Sequence, residues 1–227
     1  MIEKLEKIIE VKFNNINLLQ QALTHRSYLN EHRDYKLDHN ERLEFLGDAV
    51  LELVVTEYLY NNYNNPEGEL TSWRAALVNG ENLALISKKL GVEEFLMMSK
   101  GEAKDTGRAR QYLMANAMEA IIGAIYIDQG YDKAKDFILK NIVISLDSVL
   151  ENKSYMDPKS YFQERSQDVV KVTPIYKVIE EKGPDHDKHF VVGVYLDNEL
   201  VAKGEGNSKQ EAQREAAKNG LKTKGWE

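Results

Sequence analysis

Three acidic side chains, Glu41, Glu44 and Asp48, stand in a stretch otherwise rich in leucine and valine (HNERLEFLGDAVL, residues 39–51). At roughly 100° per residue, positions i, i+3 and i+7 fall within about 60° of one helix face. Their neighbours Leu43, Phe45, Leu46, Ala49, Val50, Leu51, Leu53, Val54 and Val55 leave little polar surface, which predicts a buried helix. Stacked carboxylates in such a helix repel one another and lose hydration unless something positive faces them. Hard divalent cations take carboxylate oxygens, and Mg2+ is the usual partner of phosphate chemistry. A solvated or arginine-paired acidic face is the competing reading. Glu52 projects onto the same arc, so periodicity leaves open which carboxylates matter.

A second stretch, residues 113–124 (LMANAMEAIIGA), carries only two polar side chains, Asn116 and Glu119, one helical turn apart. Gly123 shares their face and would let another backbone approach closely. Two buried helices with one polar stripe each are best satisfied by facing one another. Four oxygen-bearing side chains would then surround a cation.

The elements that must position these residues follow from the wider sequence. The chain has 227 residues, enough for two small domains, and 42% of them are hydrophobic. It has no cysteine, which excludes disulfides and thiolate chemistry and fits a reducing cytoplasm. The N-terminal MIEKLEKIIEVKF is charged and amphipathic, unlike a signal peptide, and no apolar run approaches the ~20 residues of a membrane span. The net charge of −7 argues against a nucleic-acid partner. Residues 1–154 carry −6 and residues 155–227 carry −1, so any such case rests on local placement.

Apolar residues recur at helical spacing over 2–10, 16–23, 40–62, 70–90 and 112–150, with breaks at 61–68, at Asn79-Gly80, at Gly91 and at 101–107. The polar run ENKSYMDP, ending in Asp-Pro, reads as a linker over 151–157. It separates an all-α domain over 1–150 from a small α+β domain over 158–227. In the latter, a helix over 159–170 precedes strands at 174–182, 188–197 and 199–205, and a final helix starts at a cap on Asn207-Ser208. The order is α-β-β-β-α.

At this point HNERLEFLGDAVL resembles the signature of the ribonuclease III family. The resemblance continues through ALTHRS (22–27), EGEL (67–70), RAALV (74–78) and residues 107–128, and the C-terminal segment resembles a double-stranded-RNA-binding domain. It implies a divalent-metal-dependent endonuclease that cuts double-stranded RNA as a homodimer, leaving 5′-phosphates and short 3′ overhangs, usually in rRNA-precursor and mRNA processing. The cofactor implied is Mg2+, with Mn2+ able to substitute. The implied metal ligands are Glu44, Asp48, Asn116 and Glu119. Asp48 and Glu119 are also catalytic, and Glu41 and Glu67 are implicated in the substrate-loaded site, where a second ion would suit a two-metal arrangement; Glu69 is the near competitor of Glu67. Many relatives carry Asp where this chain has Asn116, so one negative charge is missing and weaker Mg2+ binding, or a shift towards Mn2+, is expected. His25 and His39 are read as structural or RNA-facing, and His32 as a surface residue. A non-catalytic duplex-RNA-binding protein on the same scaffold is the alternative.

Duplex RNA presents phosphates and 2′-hydroxyls but hides its base edges. Gln163, Glu164 and Gln167 on the first helix of the second domain suit 2′-hydroxyls. The loop Gly183-Pro184-Asp185-His186 resembles one that enters a minor groove, with His186 at its tip. Lys209 adds a charge to the positive end of the last helix. Gln210 and Gln213 stand where relatives often carry charged, mostly basic, groups, which predicts modest affinity and a shallow salt dependence.

Overall fold

The computed structural model describes residues 2–151, 155–184 and 188–226. It divides into two compact units, Met1–Tyr155 and Met156–Glu227. The first is helical throughout: α1 (Ile2–Ile9), α2 (Ile16–Ala22), α3 (Arg26–Glu31), α4 (Glu41–Asn62), α5 (Glu67–Val78), α6 (Gly80–Lys89), α7 (Arg108–Gln129), α8 (Tyr131–Asn141) and α9 (Leu146–Glu151), with short 3-10 turns between some of them. The second contains α10 (Pro158–Val170), β1 (Ile175–Lys182), β2 (His189–Leu196), β3 (Glu199–Gly206) and α11 (Lys209–Lys224). The all-α plus α-β-β-β-α plan read from the sequence is the plan observed. Of the linker residues expected at 151–157, 152–154 lie outside the described ones.

The break expected at Asn79-Gly80 is observed, and the long pattern over 112–150 is subdivided, each for a local reason. The apolar pattern over 70–90 breaks at Asn79, whose side chain accepts from the Asn82 backbone N–H at 2.9 Å and caps α6. The pattern over 112–150 stops at Gly130, where φ is +83°, a conformation that costs glycine no Cβ clash. Helix α7 starts four residues before the predicted 112, at Arg108. Helix α3 has no apolar periodicity to announce it and none of its residues is buried.

The core of the first unit gathers Leu51, Val54, Val55 and Leu59 of α4 with Ala117, Met118, Ile121, Ile122 and Ile125 of α7. At the centre α4 and α7 touch backbone to backbone. A Cβ on Gly47 would lie 1.8 Å from the Glu119 carbonyl oxygen, and one on Gly123 would lie 2.2 Å from that of Leu43. Only glycine fits at either position. Helix α4 itself is not buried all round, contrary to the expectation from its composition. Phe45 is 81% exposed and Leu53 57%, with Ala49 between them one turn from each, so an apolar strip faces outward.

In the second unit an antiparallel sheet of order β1-β2-β3 packs one face against the two helices. Alternation in β2 sends Phe190, Val192, Val194 and Leu196 inward, where they meet Phe162 of α10 and Ala212, Ala216 and Ala217 of α11. Gly204 lets β3 approach α11, since a Cβ there would meet the Ala216 nitrogen at 2.0 Å.

Candidate metal centre and nucleic-acid surfaces

The first turn of α4 is anchored before it begins. Asn40, itself buried, gives its backbone N–H to the Thr24 carbonyl (2.9 Å) and its side-chain amide to the Ala22 carbonyl (3.2 Å). The 22–25 turn is held in its place by a bridge in which Met97 N–H donates to Leu23 O and His25 N–H donates to Met97 O. Glu44, one turn in, closes the helix ladder onto Asn40 O at 2.9 Å. The acidic stripe thus starts from a fixed point.

The glycine crossing then brings the stripe against α7. Asn116 faces the Glu44 carboxylate and pulls its pKa down, and the charges of Glu44 and Asp48 both act on Glu119. Burial, with added repulsion from Asp48 and Glu44, pushes the Glu119 carboxyl up to about 7. Glu44 is raised as well, by burial first and by Glu41 next; Asn116 pulls it down and Asp48 raises it a little further. No cationic side chain is among the groups acting on either carboxyl. Among the described residues none of Glu44, Asp48 and Glu119 is ion-paired.

Among the described residues no three His, Cys, Asp or Glu side chains stand close enough together to hold an ion by themselves. The set of three carboxylates and one carboxamide nevertheless fits a hard divalent cation by its chemistry. Every donor is oxygen, and no cationic side chain among the described residues pairs with the three carboxylates, which is the charge balance a divalent ion would supply.

Glu41 belongs to the edge of this cluster. It raises Glu44, and its own carboxylate is met by Arg26 at 3.2 Å and by His39 Nδ1 at 3.8 Å. Arg26 and His39 as its companions escaped the sequence reading, because they come from the first residue of α3 and the residue before Asn40. His25 caps α3, its Nδ1 accepting from the Ser27 N–H, and burial lowers its pKa. His32 is exposed and stacks on Tyr28 at 3.8 Å. Glu52 is exposed and is not among the groups that shift Glu44 or Glu119.

Glu67 is not brought to the cluster. It opens α5 at the other end of α4, accepts from Thr71 Oγ1 at 2.9 Å, and lines a cavity of about 750 Å3 with Tyr60, Tyr63, Leu70 and Arg74. Tyr60 lies roughly 24 Å along the helix axis from Glu44, at about 1.5 Å per residue. Within one chain, a second ion shared by Glu41 and Glu67 is therefore ruled out. Glu69, the competitor, is exposed and hydrogen-bonded to Asn65 at 2.8 Å.

In the second unit Gln163, Glu164 and Gln167 are all exposed on one face of α10. Lys209 opens α11, where Ser208 accepts from the Glu211 N–H and Glu211 accepts from the Asn207 N–H in a reciprocal cap. Gln213 accepts from Lys159 Nζ at 2.7 Å. His186 lies outside the described residues.

An acidic cluster between crossing helices, followed by an α-β-β-β-α module, defines a two-part protein of the kind that pairs a nuclease fold with a duplex-RNA-binding fold. Family models agree: Ribonuclease-III-like matches residues 15–146, and Double-stranded RNA binding motif matches residues 158–224. The chain belongs to the ribonuclease III family. It is 44% identical over 221 residues to the Ribonuclease 3 of Oceanobacillus iheyensis, covering 97% of this chain and 96% of that one. With the Ribonuclease 3 of Natranaerobius thermophilus the identity is 47% over 201 residues, covering 88% and 86%. Among solved structures, a nuclease domain of ribonuclease III from Campylobacter jejuni, described for flexibility in a region involved in its dimer formation, is 44% identical with a TM-score of 0.56. It covers 62% of this chain and 98% of that one.

Proposed function

We propose that the protein is a divalent-metal-dependent endoribonuclease that hydrolyses phosphodiester bonds of double-stranded RNA. The observation that carries this reading is the meeting of Glu44 and Asp48 with Asn116 and Glu119 across a glycine crossing that leaves their charge uncompensated. Glu44, Asp48, Asn116 and Glu119 would hold the ion, with Mg2+ the expected species and Mn2+ a substitute. When bound, the cation eases deprotonation of the attacking water and stabilises the charge that develops on the phosphate and the leaving 3′-oxygen. The chain's own contribution is rigidity: α4 and α7 cannot slide without driving Gly47 into the Glu119 carbonyl. Glu41, steadied by Arg26 and His39, stands at the lip where substrate arrives. Breaking the P–O3′ bond leaves a 5′-phosphate.

The exposed strip Phe45–Ala49–Leu53 supports a homodimer closed along α4. In such a dimer Glu67 can serve only the cluster of the second subunit, and one cluster per subunit would cut each strand, giving short 3′ overhangs. Gln163, Glu164, Gln167 and Lys209, together with His186, form the proposed duplex-RNA surface. The second domain supplies grip and the first supplies chemistry. Among the described residues no helix is long and apolar enough to cross a membrane, and the absence of cysteine fits a cytoplasmic setting. Ribosomal-precursor and mRNA processing are the proposed tasks.

The test is incubation with long duplex RNA in Mg2+, in Mn2+ and in EDTA, for the wild type and for Asp48→Asn. Metal-dependent shortening by the wild type, with RNA bound but intact for the variant, supports the nuclease. RNA retarded but uncut under every condition selects the binding-protein alternative.

A further inference from the structure

Among the described residues, the end of the sheet nearest the β1–β2 connection carries four groups able to be positive, and each is matched by a carboxylate. Lys182 pairs with Glu180 at 2.6 Å, His189 with Glu205 at 3.1 Å, and Lys188 with Glu181 at 2.9 Å. The fourth is Lys209, at the start of α11, 3.8 Å from the other oxygen of the same Glu181 and 5.5 Å from the centre of the Phe190 ring. Glu181 is thus a single carboxylate shared by two lysines on different elements. An RNA phosphate has the same charge and the same acceptor oxygens.

We propose that Glu181 is a built-in competitor for the phosphate backbone, an affinity-setting residue that RNA must displace from Lys188 and Lys209. This rests on the reading of the second domain as the duplex-RNA-binding surface. A free lysine that meets a phosphate releases a counterion, and that release makes binding salt-dependent. A lysine already neutralised by Glu181 releases little. The exchange of one anion for another contributes little to affinity and flattens the response to salt. Glu181 is on an edge strand and partly exposed, so its removal changes charge without disturbing the core.

The experiment measures binding of the full-length protein to a duplex RNA in EDTA across a salt series, for wild type, Glu181→Gln and Glu199→Gln. Glu199 pairs with Lys224 at 3.0 Å, at the opposite end of β3 from Glu205, and controls for the loss of one negative charge anywhere in the domain. Glu181→Gln should tighten binding roughly two- to fivefold at the lowest salt, as expected for releasing an exposed ion pair. It should also steepen the slope of log K against log salt by roughly one, while Glu199→Gln changes neither. Equal gains in both variants, an unchanged Glu181→Gln, or weaker binding by it would each overturn the proposal. Wild-type protein that binds no duplex RNA at all would instead defeat the functional reading beneath it.

Discussion

Gly47 and Gly123 form a backbone-to-backbone joint: each lies where the other helix's backbone leaves no room for a methyl group. The Cβ of an alanine at 47 would sit 1.8 Å from Glu119 O, and one at 123 would sit 2.2 Å from Leu43 O. Both obstructing atoms are backbone, so no side chain can move aside. Gly47→Ala and Gly123→Ala are each expected to destabilise the first unit by about 3 kcal/mol, the upper end of overpacking costs. The forced separation also parts Glu44 from Asn116 and Asp48 from Glu119. Chemical denaturation gives the stability and calorimetric titration with Mg2+ gives the ion affinity; loss of one without the other would show that the joint does not position the cluster.

Glu119 makes stability depend on pH. Its folded-state pKa of about 7 lies above the ordinary 4.5. Between these values the folded chain keeps a proton that the unfolded chain has released, so this contribution to stability is present at low pH and is lost as pH rises towards and through 7. Metal-free protein should therefore melt at a lower temperature at about pH 8 than at about pH 5, and added Mg2+ should restore more stability at the higher pH. Glu119→Gln should flatten the metal-free profile. Melting curves that are the same for wild type and variant at both pH values would contradict this.

Asn116 sets the charge of the cluster. Replacing it with Asp removes the neutral amide that pulls Glu44 down and adds a further carboxylate beside it. The metal-free protein should lose stability, and the concentration of Mg2+ needed for half-maximal cleavage should fall several-fold, with a smaller change for Mn2+. Titrating cleavage against each ion checks this. An unchanged metal dependence in Asn116→Asp would make the residue neutral.

Phe45 tests the assembly. It is 81% exposed on a helix whose other apolar residues are mostly in the core. Phe45→Asp should shift the protein from dimer to monomer in sedimentation while leaving its helical circular-dichroism signal unchanged, with a melting temperature lowered only by the loss of the partner subunit. A dimer that survives the substitution would place the interface elsewhere.

Much of the fold was legible because its signals are local. The change from helical to alternating periodicity at the 150s divided the two folds, and Ser208 announced the final helix. The facing of two polar stripes was legible as well, since a buried Asn116 and Glu119 demanded a partner. What failed depended on the third dimension. Composition alone made α4 look buried on every side, yet Phe45, Ala49 and Leu53 face outward, because an interface and a core ask for the same residues. Gly123 could be read as a place of close approach, but its counterpart Gly47 is hidden among the signature residues. The motif that groups Glu67 with Glu41 says nothing about subunits, so it could not reveal that a straight helix puts the two at opposite ends of α4 within one chain. Arg26 and His39 beside Glu41 come from α3, which has no periodic signature, and from the connection that follows it.

The anchoring of Asn40 to the carbonyls of Ala22 and Thr24 has a consequence for how this domain fails. With its first turn tied down and its middle clamped against α7, the stretch from Glu44 to Asp48 is expected to open only with the domain as a whole, its amide protons among the last to exchange. Parting Glu44 from Glu119 by partial opening would then require most of the domain to come apart. Damage to the scaffold should accordingly appear as loss of protein to proteolysis, rather than as a folded but idle nuclease that occupies RNA without cutting it.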